Sequence, residues 1–355
     1  MELQGKKRPK PVGRIAEGMI FRQLGWRQPA NMLAKLVPAP GATRLVLATT
    51  VVVSHYFLLS GNSLAVPADA ATVDGFFFLS GYSIARLWNE RYLRCRGPLF
   101  TFYCSRLMRI YPIATASTLL MFWIAGGSWG PLWSNLALID AVQGSEGPLN
   151  PPSWSIAIEL QFYAIAPLLM VLMRNNIAAI ALLTIGFAFW LIYATGIMHI
   201  FVVNFVFLFG LGTWFSNRAL HEAAARLVPY VLAGILIFCL VAAIPSVQEE
   251  LLGYGMARRF AGIALGVLCL PWVAASLSKK SHAFDRVLGD LSYPVYLFHW
   301  PAFVIAGRLM ATGRIPLAVG LTVAITLVVY TLIDRPCEMV RYNFVESRKK
   351  VVHER

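Results

Sequence analysis

Three ionisable residues stand inside runs that are otherwise greasy enough for lipid. His55 ends the stretch Arg44-Leu-Val-Leu-Ala-Thr-Thr-Val-Val-Val-Ser-His, Glu159 follows Pro151-Pro152-Ser-Trp154-Ser155, and His299 follows Gly289-Asp-Leu-Ser-Tyr293-Pro-Val-Tyr296-Leu-Phe. A charged group at the centre of a membrane span costs about 2.5–3.5 kcal/mol on insertion scales, so its presence raises a functional reading by default. At about 1.5 Å of rise per residue, His55 lies roughly 16 Å beyond Arg44 and His299 roughly 15 Å beyond Gly289. Glu159 falls one to two turns, roughly 6–10 Å, past the paired prolines, which mark a helix start. The spacing predicts one polar layer holding all three. An imidazole there can take a proton from a hydroxyl or act as a nucleophile, and a carboxylate or second imidazole can orient it. Each residue alone also has a plainer reading: a histidine satisfied by a neighbouring helix, or a glutamate paired with Gln161 or a backbone group.

A second set is cationic. Arg106 and Arg109 lie three residues apart in Arg-Leu-Met-Arg-Ile-Tyr-Pro112, on one helical face, and Arg44 begins the run that leads to His55. Guanidinium forks at fixed separation suit a phosphate-bearing ligand arriving from the cytoplasm. Topology or snorkelling would equally place arginines there. Trp154, Ser155, Tyr293 and Tyr296 flank these motifs and are candidate substrate contacts, although Tyr293, Tyr296 and Trp300 have the spacing of ordinary helix packing. Pro294 and Pro301 should bend their helix and free carbonyls for other partners. Asp334-Arg335-Pro336 reads as a helix stop with a local ion pair. Five cysteines without CxxC or His-paired spacing give neither a disulfide framework nor a metal site.

The elements that carry these residues are membrane spans. Of 355 residues 58% are apolar and only 14% charged, against about half and about a quarter in soluble domains. Ten apolar stretches are long enough to cross a bilayer: 43–60, 72–88, 110–126, 155–173, 177–195, 199–215, 229–245, 260–276, 289–307 and 315–333. With the N-terminus inside, 26 of the 31 basic residues fall on the cytoplasmic side, as the positive-inside rule requires. Losing or adding one span would scramble that partition. The expected fold is therefore an all-α integral membrane protein of about ten transmembrane helices with both termini cytoplasmic. It comprises a basic tail over 1–42, a transmembrane domain over 43–336 and a second basic tail over 337–355. The net charge of +14 is absorbed by orientation and the arginine set, which leaves nucleic-acid binding without support.

Over about residues 43–336 the sequence resembles the integral-membrane acyltransferase-3 family, the O-acetyltransferases of exopolysaccharide, O-antigen or Nod-factor type. The resemblance rests on the Arg44–His55 spacing, Phe76-Phe-Phe-Leu-Ser-Gly81-Tyr82, Arg106-x-x-Arg109-Ile-x-Pro112, Trp154-Ser155 with Glu159 and Phe162-Tyr163, and Ser292-Tyr293 through Tyr296-Leu297-x-His299. It implies an acyl-CoA donor, most often acetyl-CoA, on the cytoplasmic side, and a carbohydrate hydroxyl as glycan acceptor. It implies that His55 is the essential catalytic histidine, with Arg44, Arg106 and Arg109 binding the donor. Glu159 and His299 are expected to assist, in the inner (plasma) membrane and with no metal; a glycan-assembly complex is a further expected partner. The rival reading is a multi-span transporter or flippase, or a polymerase of a surface glycan. Transporters more often show two halves with matching interrupted helices, which this chain lacks.

Overall fold

Apolar runs separated by Gly and Pro punctuation become helices throughout. The computed structural model of the chain describes residues 37–349 apart from 60–65, 127–128, 140–146, 197–200, 219, 254 and 311. The basic segments 1–36 and 350–355, and the first residues of the span expected from 199, lie outside the described residues. Among those described there are thirteen α-helices and no β-strand. They are α1 (Pro40–Leu59), α2 (Ala68–Glu90), α3 (Pro98–Ala125), α4 (Trp129–Leu136), α5 (Ser153–Leu172), α6 (Asn176–Ala194), α7 (Val206–Arg218), α8 (His221–Ala242), α9 (Pro245–Leu252), α10 (Met256–Ser276), α11 (Ala283–Leu309), α12 (Arg314–Val329) and α13 (Arg335–Ser347).

Seven helical stretches are long and apolar enough to cross a membrane: α1, α3, α5, α6, α8, α10 and the continuous run Arg314–Ser347. Of the other three expected spans, 72–88 and 289–307 fall in helices, and the described part of 199–215 runs through a 3-10 turn, Val202–Phe205, into α7. Helices α2 and α11 carry several charged residues along their length, and α7 has only 13 residues. Large apolar side chains face outward along the bundle, among them Trp123, Leu168, Ile177, Leu236 and Leu332, each more than half exposed. A soluble surface does not sustain so wide an apolar belt. The protein is an all-α membrane protein.

Helix α2 is the hub, packed against α1, α5, α7 and α10. Its closest approach is to α7. A Cβ on Gly81 would lie 2.1 Å from the Phe209 carbonyl oxygen, and one on Gly212 would lie 2.1 Å from that of Phe78. Small residues let backbones meet in this way within a membrane, where burial from water supplies no drive between helices.

The site is framed by α1 and α11, which run parallel. Asp285 at the start of α11 accepts the free N–H groups of Gly41 (3.1 Å) and Ala42 (2.8 Å) in the first turn of α1. It thereby caps one helix from another. Both Gly41–Asp285 and His55–His299 are offset by 244 residues, so the two helices hold one register over about four turns. Pro301, which lacks an N–H, leaves the Leu297 carbonyl without its usual helical donor. The Asn150 side chain supplies that bond at 3.0 Å, fastening the segment before α5 onto α11.

One sequence expectation is corrected at Asp334-Arg335-Pro336. The chain does not stop there: after a π-helical turn, Tyr330–Asp334, it continues as α13 with Pro336 in the first turn, where a missing N–H costs nothing. Asp334 pairs with Arg109 at 3.3 Å rather than with its sequence neighbour. Helix α13 packs against α3.

Candidate active site

His55 and His299 meet directly. His55 Nδ1 is 2.9 Å from His299 Nε2, and the two rings are stacked with centroids 5.1 Å apart. His299 is fully buried, and its Nδ1 is 2.7 Å from the Tyr296 carbonyl oxygen. A carbonyl oxygen only accepts, so His299 Nδ1 must carry its proton. Neutral imidazole then leaves Nε2 as an acceptor, and His55 must donate from Nδ1. The free lone pair of the pair is therefore on His55 Nε2. Tyr56 braces the arrangement, its hydroxyl 2.6 Å from that of Thr322 and donating to the His299 carbonyl oxygen at 3.0 Å.

Two cavities, called inner and outer from here on, lie along these helices; His55 lines the outer one and neither histidine lines the inner. The inner one, of about 290 Å³, is lined by Arg44, Arg106, Arg109, Arg341, Glu159, Asp290, Glu338, Ser155, Tyr293 and Tyr296 among others. Its arginines divide into two kinds. Arg109 is held by Asp334 and by Glu338 at 3.0 Å, and Arg341 is also paired with Glu338. Arg106 is buried, contacts Tyr92 and Ser105 hydroxyls, lies over the Tyr92 and Tyr163 rings, and pairs with no carboxylate. Among the described residues its Nε has no hydrogen-bond partner, and the guanidinium forms no ion pair. Among the described residues Arg44 likewise makes one side-chain hydrogen bond, to the Ser83 hydroxyl at 2.8 Å. Two guanidinium groups that form no direct ion pair among the described residues are thus presented to one cavity, with the Glu159 and Asp290 carboxylates also in its lining; cations without a direct carboxylate partner can receive an anionic ligand.

Glu159 belongs to this inner cavity and not to the histidine pair. Its Oε1 accepts from Ser80 (2.7 Å) and Tyr163 (2.6 Å). Ser155 and Tyr293 line the same space; the Tyr293 hydroxyl donates to the Ile110 carbonyl oxygen.

The outer cavity, of about 170 Å³, is lined by His55, Asp69, Asp74, Trp154, Trp190, Tyr193, Phe205, Arg259 and Tyr296 among others. Tyr296 borders both spaces, its hydroxyl fixed by Ser155 at 2.8 Å and by the Pro152 carbonyl oxygen at 3.2 Å.

The sequence put His55, Glu159 and His299 in one polar layer with the three arginines below it. The structure joins the two histidines, lines one cavity with all three arginines and turns Glu159 into that cavity. Of the candidate substrate contacts, Trp154 lines the histidine cavity, Ser155 and Tyr293 the arginine cavity, and Tyr296 both. Sequence reading passed over Asp74, although an acid within the span 72–88 carries the same signal as Glu159. Arg341 and Glu338 had no such signal, because they sit beyond the last apolar run.

The chain matches the acyltransferase-3 family, described as "Acyltransferase domain", over residues 37–334, and it belongs to that family. It is similar to the "Putative membrane-bound transacylase BcsY" of Komagataeibacter xylinus, 26% identical over 309 residues, covering 74% of this chain and 75% of that one. An "Uncharacterized protein" of Aquifex aeolicus (strain VF5) is 23% identical over 209 residues, covering 54% of this chain and 90% of the relative. No solved structure matches. The protein is a membrane acyltransferase.

Proposed function

We propose that the protein is a multi-pass enzyme of the inner membrane that moves an acyl group, most simply acetyl, from cytoplasmic acyl-CoA to a hydroxyl of an extracytoplasmic or lipid-linked carbohydrate. The observation that carries this reading is the pairing of two spaces around one bordering side chain. A cavity with two unpaired arginines suits the phosphates of coenzyme A, an aromatic-walled cavity holds the histidine, and Tyr296 lies between them. The ten-crossing topology with both ends cytoplasmic is part of the proposal, and it puts the arginine cavity on the side where acyl-CoA is found.

In the mechanism, Arg44 and Arg106 hold the donor phosphates and the pantetheine arm runs outward, past Tyr296, toward His55. His55 Nε2 takes the proton of the acceptor hydroxyl as its oxygen attacks the thioester carbonyl carbon. The C–S bond breaks, and the departing thiolate takes that proton back from the imidazolium. His299 keeps His55 in the productive tautomer. Glu159, pinned through one oxygen by Ser80 and Tyr163, acts in the donor cavity, where it sets the position of ligand groups near Arg44.

The test is transfer from labelled acetyl-CoA by purified protein to a glycan fraction, with the ester identified by its loss on mild alkaline treatment. Wild type should label the glycan and a His55→Ala protein present in equal folded amount should not. Labelling by His55→Ala at the wild-type rate would overturn the assignment. A transporter or polymerase of the same glycan would transfer no label at all.

A further inference from the structure

Asp74 is only 5% exposed, yet among the described residues its carboxylate makes no hydrogen bond and no ion pair. Taking a carboxylate out of water without a partner costs several kcal/mol. The fold does not relieve that cost; it makes room for it. Helix α10 passes α2 at this level with a glycine, and a Cβ on Gly266 would lie 2.3 Å from Asp74 Oδ2. The carboxylate lines the outer cavity with His55, Asp69 and Arg259, against walls formed by Trp154, Trp190, Tyr193 and Tyr296. Asp69, by contrast, is engaged by Arg258 at 3.5 Å.

We infer that the outer cavity is the acceptor subsite and that Asp74 is its specificity-determining residue, accepting hydrogen bonds from hydroxyls of an uncharged sugar ring seated against the aromatic walls. This rests on the acyltransferase reading above. A ring of alternating C–H faces and equatorial hydroxyls matches what is offered: aromatic surfaces for its apolar faces and one buried acceptor for its edge. A hydrogen bond made to a buried carboxyl group discriminates strongly, because an acceptor lacking the matching hydroxyl leaves that group unpaired.

Two measurements test it, using the full-length protein and, as acceptor probe, the glycan fraction extracted from membranes of the source organism lacking this gene. In the first, Asp74→Asn keeps shape but removes charge; the apparent KM for the glycan fraction should rise tenfold or more while the KM for acetyl-CoA changes less than twofold. In the second, unaltered protein is treated with a hydrophobic carbodiimide, which adds to the carboxyl group and rearranges to a stable N-acylurea readable by mass spectrometry. Modification of Asp74 should be suppressed by the glycan fraction and not by acetyl-CoA. Unchanged KM for the glycan, equal rises in both KM values, or modification that is absent or indifferent to glycan would overturn the inference. If the Asn variant does not fold, the carbodiimide result decides. Failure of the wild type to acylate the glycan fraction at all would instead overturn the function proposed above.

Discussion

The hydrogen-bond chain Tyr296 C=O, His299, His55 makes a quantitative claim about His299. Replacing it with phenylalanine keeps a planar ring in a fully buried position and leaves the Tyr296 carbonyl its helical donor, the N–H of Trp300. What is lost is the acceptor 2.9 Å from His55 Nδ1. A donor stranded in a buried site costs about 1–3 kcal/mol, and His55 escapes that cost by moving its proton to Nε2, the nitrogen that should act as base. The competent tautomer then becomes rarer by a factor of roughly 5–150, and kcat for acyl transfer should fall by the same factor. That loss reaches at most the lower end of the roughly 10²–10⁴-fold contribution expected of the base itself, which His55→Ala would remove. The KM for acetyl-CoA should be unaffected, since the cavity proposed for the donor phosphates is lined by neither histidine. His299→Gln is the control, because its amide oxygen can accept from His55 and should restore most of the rate. The assay is labelled acetyl transfer per mole of folded protein, with thermal unfolding in detergent to show that both variants are intact. A kcat for His299→Phe equal to wild type, or equal impairment of the Phe and Gln variants, would refute the tautomer argument.

Arg44→Ala and Arg106→Ala should each raise the KM for acetyl-CoA by roughly 10- to 150-fold, the loss of a charge-assisted contact of about 1.5–3 kcal/mol. Arg109→Ala should raise it much less and chiefly lower thermal stability, because Arg109 is already neutralised by Asp334 and Glu338; an equal effect at all three positions would argue against the division. Asp285→Ala strands two N–H groups at the start of α1 and should cost about 1–3 kcal/mol of stability, read as a lower unfolding temperature, with Asp285→Asn losing less. Gly81→Ala sets a methyl against the α7 backbone; overpacking of about 1–3 kcal/mol should follow, and an unfolding temperature equal to wild type would show that the helices part freely.

The sequence already spelled out most of the helices, since nearly every predicted apolar stretch falls mainly within one; the exceptions are 199–215, whose first residues lie outside those described and which passes through a 3-10 turn, Val202–Phe205, and 229–245, which runs past the end of α8 to the first residue of α9. What spacing could not supply was direction around each helix axis. Glu159 and His55 were assigned to one layer because each is a few turns from a helix end, and depth along a helix is a matter of counting. Whether two side chains at similar depth meet is decided by the packing of α2, α5 and α11, and α5 turns Glu159 toward Ser80 and the arginines. The histidine pair was legible for the converse reason: α1 and α11 run parallel in one register, so equal counts from Gly41 and Asp285 do end at touching residues. The arginine set shows the same limit. Arg44, Arg106 and Arg109 look equivalent as charges at an interface, and only the return of α13, from beyond the last apolar run, brings Glu338 to Arg109 and leaves the other two unpaired. Long-range partners such as Arg109 with Glu338, 229 residues apart, or Asn150 with Leu297, 147 apart, leave no periodic trace. They fix which cations and which lone pairs remain available, so the chemistry of this site resides in the pairings that its residues do not make.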